Sequence, residues 1–195
     1  MSRILFLNKF LSLDRGGLIY ILEIMTKKHG FTLIELIVVI GIIAILATLG
    51  LSVFGGVQKK SRDAKRKSDL KEMQTALAQY YTDNGSYPST AGAWRGSCPS
   101  CSYGSGYTDT GPTGYIPDLA PQYIQRLPHD PREGQAVNCG PNATSYLYRS
   151  DGTDYKILAW CGAEVLPISA NDPFYDTIRQ QTGYQVNSGQ AAVAW

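Results

Sequence analysis

The chain has 195 residues, enough for one domain with its own core, and 44% of them are hydrophobic, which excludes a disordered polar polymer. Its 18 Lys and Arg face 16 Asp and Glu. Five of the basic residues (Arg3, Lys9, Arg15, Lys27, Lys28) and two of the acidic ones (Asp14, Glu23) precede residue 31, so the remaining 13 and 14 nearly cancel and give no electrostatic case for a nucleic-acid partner.

Residues 1–24, "MSRILFLNKFLSLDRGGLIYILEI", hold two short apolar clusters broken by Lys9, Asp14, Arg15 and a Gly pair, and neither cluster is long enough to span a bilayer. A start at Met25 would give the short basic leader "MTKKHG" directly before the next element, so residues 1–30 are expected to be leader, with Met25 as the true start.

From Phe31 to Val57 the sequence is uncharged except at Glu35, and the run exceeds the roughly 20 residues a membrane helix needs. Proline is absent from this stretch onward until Pro88, which predicts one continuous helix from Phe31 to about Tyr81, roughly 75 Å long at 1.5 Å per residue. Its first half, 31–57, is expected to be transmembrane. In its second half, 58–83, Leu70, Met73, Leu77 and Tyr80 form one stripe that should pack on a domain outside the bilayer. Gly41, Gly50, Gly55 and Gly56 weaken the apolar half and offer small surfaces for helix packing. Between the halves, "KKSRDAKRK" brings six basic residues together (Lys59, Lys60, Arg62, Lys65, Arg66, Lys67). This run is expected to be a solvated face near lipid headgroups, and a DNA-contacting strip is the sharper alternative.

"NGSYP", Asn84 to Pro88, ends the helix and opens a domain over 84–195. Residues 89–121 read as a turn-rich loop containing "CPSC", and "IQRLPHDPREG" as an extended connector, because residues before Pro avoid the helical region. "SYLYRS" and "DYKILAWC" flank "DGT" and predict a β-hairpin over 145–161. Tyr184 to Val186 reads as an edge strand.

All four cysteines, Cys98, Cys101, Cys139 and Cys161, follow the apolar run and so share one side of the membrane. On an oxidising side they form two disulfides, with three connectivities open. Cys139 with Cys161 is the expected pair because the two flank the hairpin, leaving Cys98 and Cys101 to close a small loop. Zinc or redox use of Cys98 and Cys101 is the alternative. Zinc usually wants a second close pair, and here His129 is the sole further ligand type at hand. No βαβ pattern surrounds the CxxC, as a thioredoxin-like site would require.

"KKHG" followed by "FTLIELIVVIGIIAILA" resembles the class III signal of type IV prepilins and type II secretion pseudopilins: basic leader, Gly, Phe, and Glu five residues into the mature chain. "DNGSYP" and "LPHDP" extend a weaker likeness into the following domain. The resemblance implies a pilin-like α+β fold, a long N-terminal helix packed on a small antiparallel β-sheet. It also implies cleavage after Gly30 by an aspartyl prepilin peptidase and N-methylation of Phe31. Glu35 would pair with the Phe31 amine, in its own chain or a neighbour, during filament assembly.

The implied partners are further copies in a helical filament, minor pilins or pseudopilins, and an inner-membrane platform with its assembly ATPase. No cofactor and no enzyme activity are implied, and nucleic acid is an unlikely ligand. The protein would sit in the bacterial cytoplasmic membrane, N-terminus inside, and then in an extracytoplasmic filament, although the basic run after the span argues by charge for keeping that end inside. Major secretion pseudopilins also carry a calcium loop near the C-terminus, for which Asp172 and Asp176 are the faint candidates here. The competing class is a membrane-anchored extracytoplasmic binding or redox domain using Cys98 and Cys101.

Overall fold

A computed structural model describes residues 30–101, 103, 106–137, 139 and 144–195, without the side chains of 49–53. The expected leader over 1–30 therefore lies outside the described residues up to Gly30. The chain divides into two units at Ser52/Val53.

Helix α1 runs Leu33–Asn84 and is followed by β1 (Arg95–Gly96), β2 (Ser145–Ser150), β3 (Tyr155–Trp160), β4 (Tyr175–Asp176), β5 (Gln180–Asn187) and the short α2 (Gln190–Val193). The fold is pilin-like α+β. In the first unit, apolar side chains of α1 such as Leu33, Ile34, Leu36, Ile37, Ile40 and Ile43 point outward all round the helix and stay exposed. A surface helix that is apolar on every side needs lipid or other helices to cover it. Among the described residues no helix is long and apolar enough to cross a membrane, and the span expected over 31–57 lies partly outside the described side chains.

In the second unit, the 53–84 part of α1 packs one stripe on the sheet. Leu70, Met73 and Leu77 are fully buried, and Tyr80 is partly buried against the same core. The helix stops where the Asn84 amide bonds back to the Tyr80 carbonyl at 2.9 Å, ahead of Pro88.

All strand pairs are antiparallel, in the order β1-β2-β3-β5-β4. The hairpin pairs Ser145 with Trp160 through Ser150 with Tyr155, and its turn is held by Asp151 Oδ1, which accepts from the N–H of Thr153 and Asp154. Side-chain alternation puts Tyr146, Tyr148, Tyr155, Ile157, Ala159, Tyr184 and Val186 on the helix side. The buried phenols keep partners: Tyr146 donates to Asp69, Tyr148 to the Pro88 carbonyl and Tyr115 to the Pro128 carbonyl.

The described residues of 89–121 are turns and irregular backbone apart from β1, and Tyr115, Ile116, Leu119 and Ala120 fill the core from that stretch. One expectation needs correction. The Tyr184–Val186 strand is neither short nor at the edge: β5 lies between β3 and β4. Its polar composition hides it, and Gly183 marks how close it runs to β3, because a Cβ there would sit 2.1 Å from the Ala159 carbonyl oxygen.

Candidate functional site

Gly30 and Phe31 precede the helix. Phe31 is 86% exposed, and among the described residues nothing lies within 4 Å of where a Gly30 side chain would begin. Thr32 and Glu35 form a capping box. The Thr32 N–H and hydroxyl both donate to Glu35 Oε2, at 2.9 and 2.8 Å, and the Glu35 N–H donates to Thr32 Oγ1 at 3.2 Å. In this uncut chain the carboxylate thus holds the helix start, and its partner is Thr32, not Phe31.

The structure revises the basic run most. Arg66 is wholly buried and bonds on three sides. Its Nε and Nη2 donate in parallel to Asp130 at 2.7 and 2.9 Å, and its Nη1 donates to Asp63 at 2.8 Å and Glu164 at 2.9 Å. Arg62 grips the same Glu164 with Nε at 2.7 Å and Nη2 at 2.5 Å. Asp63 in turn accepts from the Val165 N–H and the Tyr184 hydroxyl. Burial alone would raise the Glu164 pKa, but the hydrogen bonds from Arg62 and Arg66 hold it down to about 2. Gly162 is required beside this cluster, since a Cβ would meet Arg66 Nε at 2.7 Å. Lys65 pairs with Asp69, and Lys67 with Asp172 while lying over the Tyr184 ring. Three of the six cations, Arg62, Arg66 and Lys67, are therefore a clamp between this part of α1 and the sheet domain, Lys65 pairs within the helix, and no DNA-facing strip of six free charges exists. The "HDP" of the connector supplies Asp130, a partner that sequence spacing could not reveal.

His129 bridges two loop segments, its Nδ1 2.5 Å from Glu133 and its Nε2 2.7 Å from Asp109. The hydrogen bond to Glu133, opposed by burial and supported by Asp109, raises its pKa to about 9. Cys98 is bonded to Cys101, and Cys139 to Cys161, with Cα atoms 5.3 and 5.4 Å apart. The first closes the loop after β1, and the second ties residue 139 to the end of β3. Among the described residues no group of three or more His, Cys, Asp or Glu is arranged to hold a metal ion.

Asp172 and Asp176 do not fit a calcium loop. Asp172 already accepts from Lys67 and from the Phe174 N–H. Asp176 faces Lys156 Nζ at 3.5 Å and Arg179 Nη1 at 3.3 Å. The buried Lys156 also donates to the carbonyls of Val193 at 2.9 Å and Trp195 at 3.1 Å, so an ammonium group occupies the centre of this oxygen set. Calcium needs six to eight oxygens and would have to displace it.

The model of the prokaryotic N-terminal methylation motif matches residues 25–51. Type II secretion system core protein G of Escherichia coli K12 is 36% identical over 146 residues, covering 69% of this chain and 92% of that protein. The chain belongs to the type IV pilin and type II secretion pseudopilin family. A second relative of this pilin-like chain, core protein G of Klebsiella pneumoniae, is 36% identical over 110 residues, 55% of this chain and 71% of its own. On the pilus side of the family, the type IV major pilin protein PilA of Myxococcus xanthus is 36% identical over 61 residues, 31% of this chain and 28% of its own. No solved structure matches significantly.

Proposed function

We propose that this family member is a structural, non-catalytic subunit of a helical filament, and that the filament is a type II secretion pseudopilus rather than a type IV pilus. The observation that carries the second step is coverage: the likeness to core protein G runs over 92% of the E. coli protein, whereas the likeness to PilA runs over 28% of that chain. The subunit is made as a membrane precursor with its N-terminus inside and is cut after Gly30. It is methylated on Phe31 and fed by an inner-membrane platform and its ATPase into an extracytoplasmic filament with minor pseudopilins.

Supporting this are the methylation-motif match over 25–51, the apolar side chains exposed on every side of the first helical unit, and the accessible Gly30–Phe31 junction. Glu35 supports the reading by position: its carboxylate sits on the Thr32 N–H, one residue from the nitrogen that cleavage would free as an amine.

Intact-mass measurement of the membrane form tests processing. A methylated chain beginning at Phe31 is expected, and any other first residue refutes the assignment. A deletion strain separates the two filaments. Loss of exported proteins from the medium is expected, while intact export with loss of surface filaments would make the subunit a pilin. Glu35→Gln separates capping from pairing. Gln serves in a capping box as well as Glu does, so wild-type filament numbers from Glu35→Gln would leave the carboxylate a cap alone, and loss of filaments with normal cleavage would establish the charge pair.

A further inference from the structure

The second unit's part of α1 carries two exposed rows that match each other at a fixed offset. Lys60, Lys67 and Lys71 recur at spacings of seven and four residues, and Glu72, Gln79 and Asp83 recur at the same spacings in the same order. The two rows are twelve residues apart along the helix, so at 3.6 residues per turn they lie about 120° apart around it. They flank the exposed face, opposite the buried stripe of Leu70, Met73 and Leu77. Lys60, Lys71, Glu72 and Asp83 are all exposed, and among the described residues none of the four has an ion-pair partner. Lys67 is already ion-paired within its own chain, to Asp172, and it stands opposite the one neutral member, Gln79.

We propose that these rows are the contact between successive copies of this chain: the basic row of one α1 lies on the acidic row of the next, pairing Lys60 with Glu72 and Lys71 with Asp83. The proposal rests on the filament reading above. Its geometry is specific. Both rows read seven then four, so they fit only between parallel helices, as copies sharing one membrane orientation would be. The offset fixes a stagger of about 18 Å, from twelve residues at 1.5 Å each. Because the mating rows differ, each contact leaves one free row at either end, which produces an open, growing assembly rather than a closed dimer.

The test uses the full-length protein in cells that assemble it, made from a mixture of light and isotopically heavy chains. A zero-length carbodiimide joins lysines to carboxylates in direct contact. Mixed light–heavy peptides linking Lys60 to Glu72 and Lys71 to Asp83 are expected, and links at another offset, such as Lys60 to Asp83, overturn the register. In parallel, Lys60→Glu with Lys71→Glu, and separately Glu72→Lys with Asp83→Lys, reverse one row each. An exposed pair changes an equilibrium by roughly two- to fivefold, so turning two attractions into repulsions should lower filament yield about tenfold or more. Combining all four reversals should restore it. The four side chains are exposed, so membrane levels and melting temperature should match wild type and separate an assembly defect from misfolding. Unchanged yield from both reversed rows, or no recovery in the fourfold variant, overturns the contact while leaving the filament reading standing. A wild-type chain that forms no filaments sinks the filament reading and the contact with it.

Discussion

Replacing Arg66 by alanine should be the most damaging single change in the clamp, because it strands charges rather than merely removing one. The guanidinium is wholly buried and satisfies both oxygens of Asp130, which is buried too, and one oxygen of Asp63. Glu164 would keep Arg62, and Asp63 would keep its backbone and Tyr184 donors, but among the described residues Asp130 would keep only the Arg132 N–H at 2.8 Å. Removing one partner from a buried ion pair typically destabilises by about 3–5 kcal/mol. In a protein of this size that is a fall in melting temperature of roughly 10 °C. Circular dichroism of the full-length chain in detergent measures it. A double-mutant cycle with Asp130→Ala should return a coupling of about 2 kcal/mol or more, since the second change removes the stranded charge. A loss under about 1 kcal/mol from Arg66→Ala, or additive effects with Asp130→Ala, would refute the argument that the helix is held by this pairing.

Four further outcomes follow from the same geometry. His129 gains stability from protonation, with its pKa raised from 6.5 to about 9, so its contribution is fully present below pH 6.5 and is lost as pH rises through 9; an imidazole that titrates near 6.5 by NMR would contradict this. Glu164 works in the opposite sense. With its pKa held down to about 2, its contribution is present above about pH 4.5 and is lost as pH falls toward 2, so Glu164→Gln should flatten the acid limb of the stability curve. Cys139→Ser with Cys161→Ser opens a loop of sequence separation 22 and should cost about 3 kcal/mol, and non-reducing peptide maps that recover all four thiols free would remove both disulfides. Finally, because Lys156 and Arg179 already neutralise Asp176, a chelator should leave the melting temperature unchanged; a rise of several degrees on adding calcium would show that the ammonium does yield its place.

The parts of this fold that the sequence made legible are those with short-range signals. A three-four-three spacing of Leu70, Met73, Leu77 and Tyr80 identifies the packed stripe of α1, and "SYLYRS", "DGT" and "DYKILAW" identify a hairpin whose register is set by its own turn. The strand β5 was only partly visible because its neighbours, not its own composition, make it a strand. "QQTGYQVN" carries six amide or hydroxyl side chains in eight residues, and it is held between β3 and β4 by ladder bonds that no local pattern announces. The same holds for Tyr115 to Ala120, whose burial depends on irregular backbone packing that period-2 or period-3.6 counting does not register.

Charge placement was the least legible feature, for a physical reason. "KKSRDAKRK" reads as a strong positive patch because its own nine residues include only Asp63, whereas three of its four engaged cations, Arg62, Arg66 and Lys67, find carboxylates far along the chain, at Asp130, Glu164 and Asp172, and only Lys65 pairs locally, with Asp69. A local count of charge measures the potential of an unfolded segment, and that is the quantity that acts when a chain is first threaded through a membrane. The folded protein presents another quantity, the residue left after internal pairing, which here is Lys59 and Lys60 at one end of the run and Lys71 beyond it. Orientation during insertion and recognition after folding are thus governed by different subsets of the same side chains. A basic run next to a membrane helix therefore does not by itself say which side of the bilayer, or which partner, the folded domain will meet: Arg62, Arg66 and Lys67 bear charge in both states, but only before folding is that charge available to anything outside the chain.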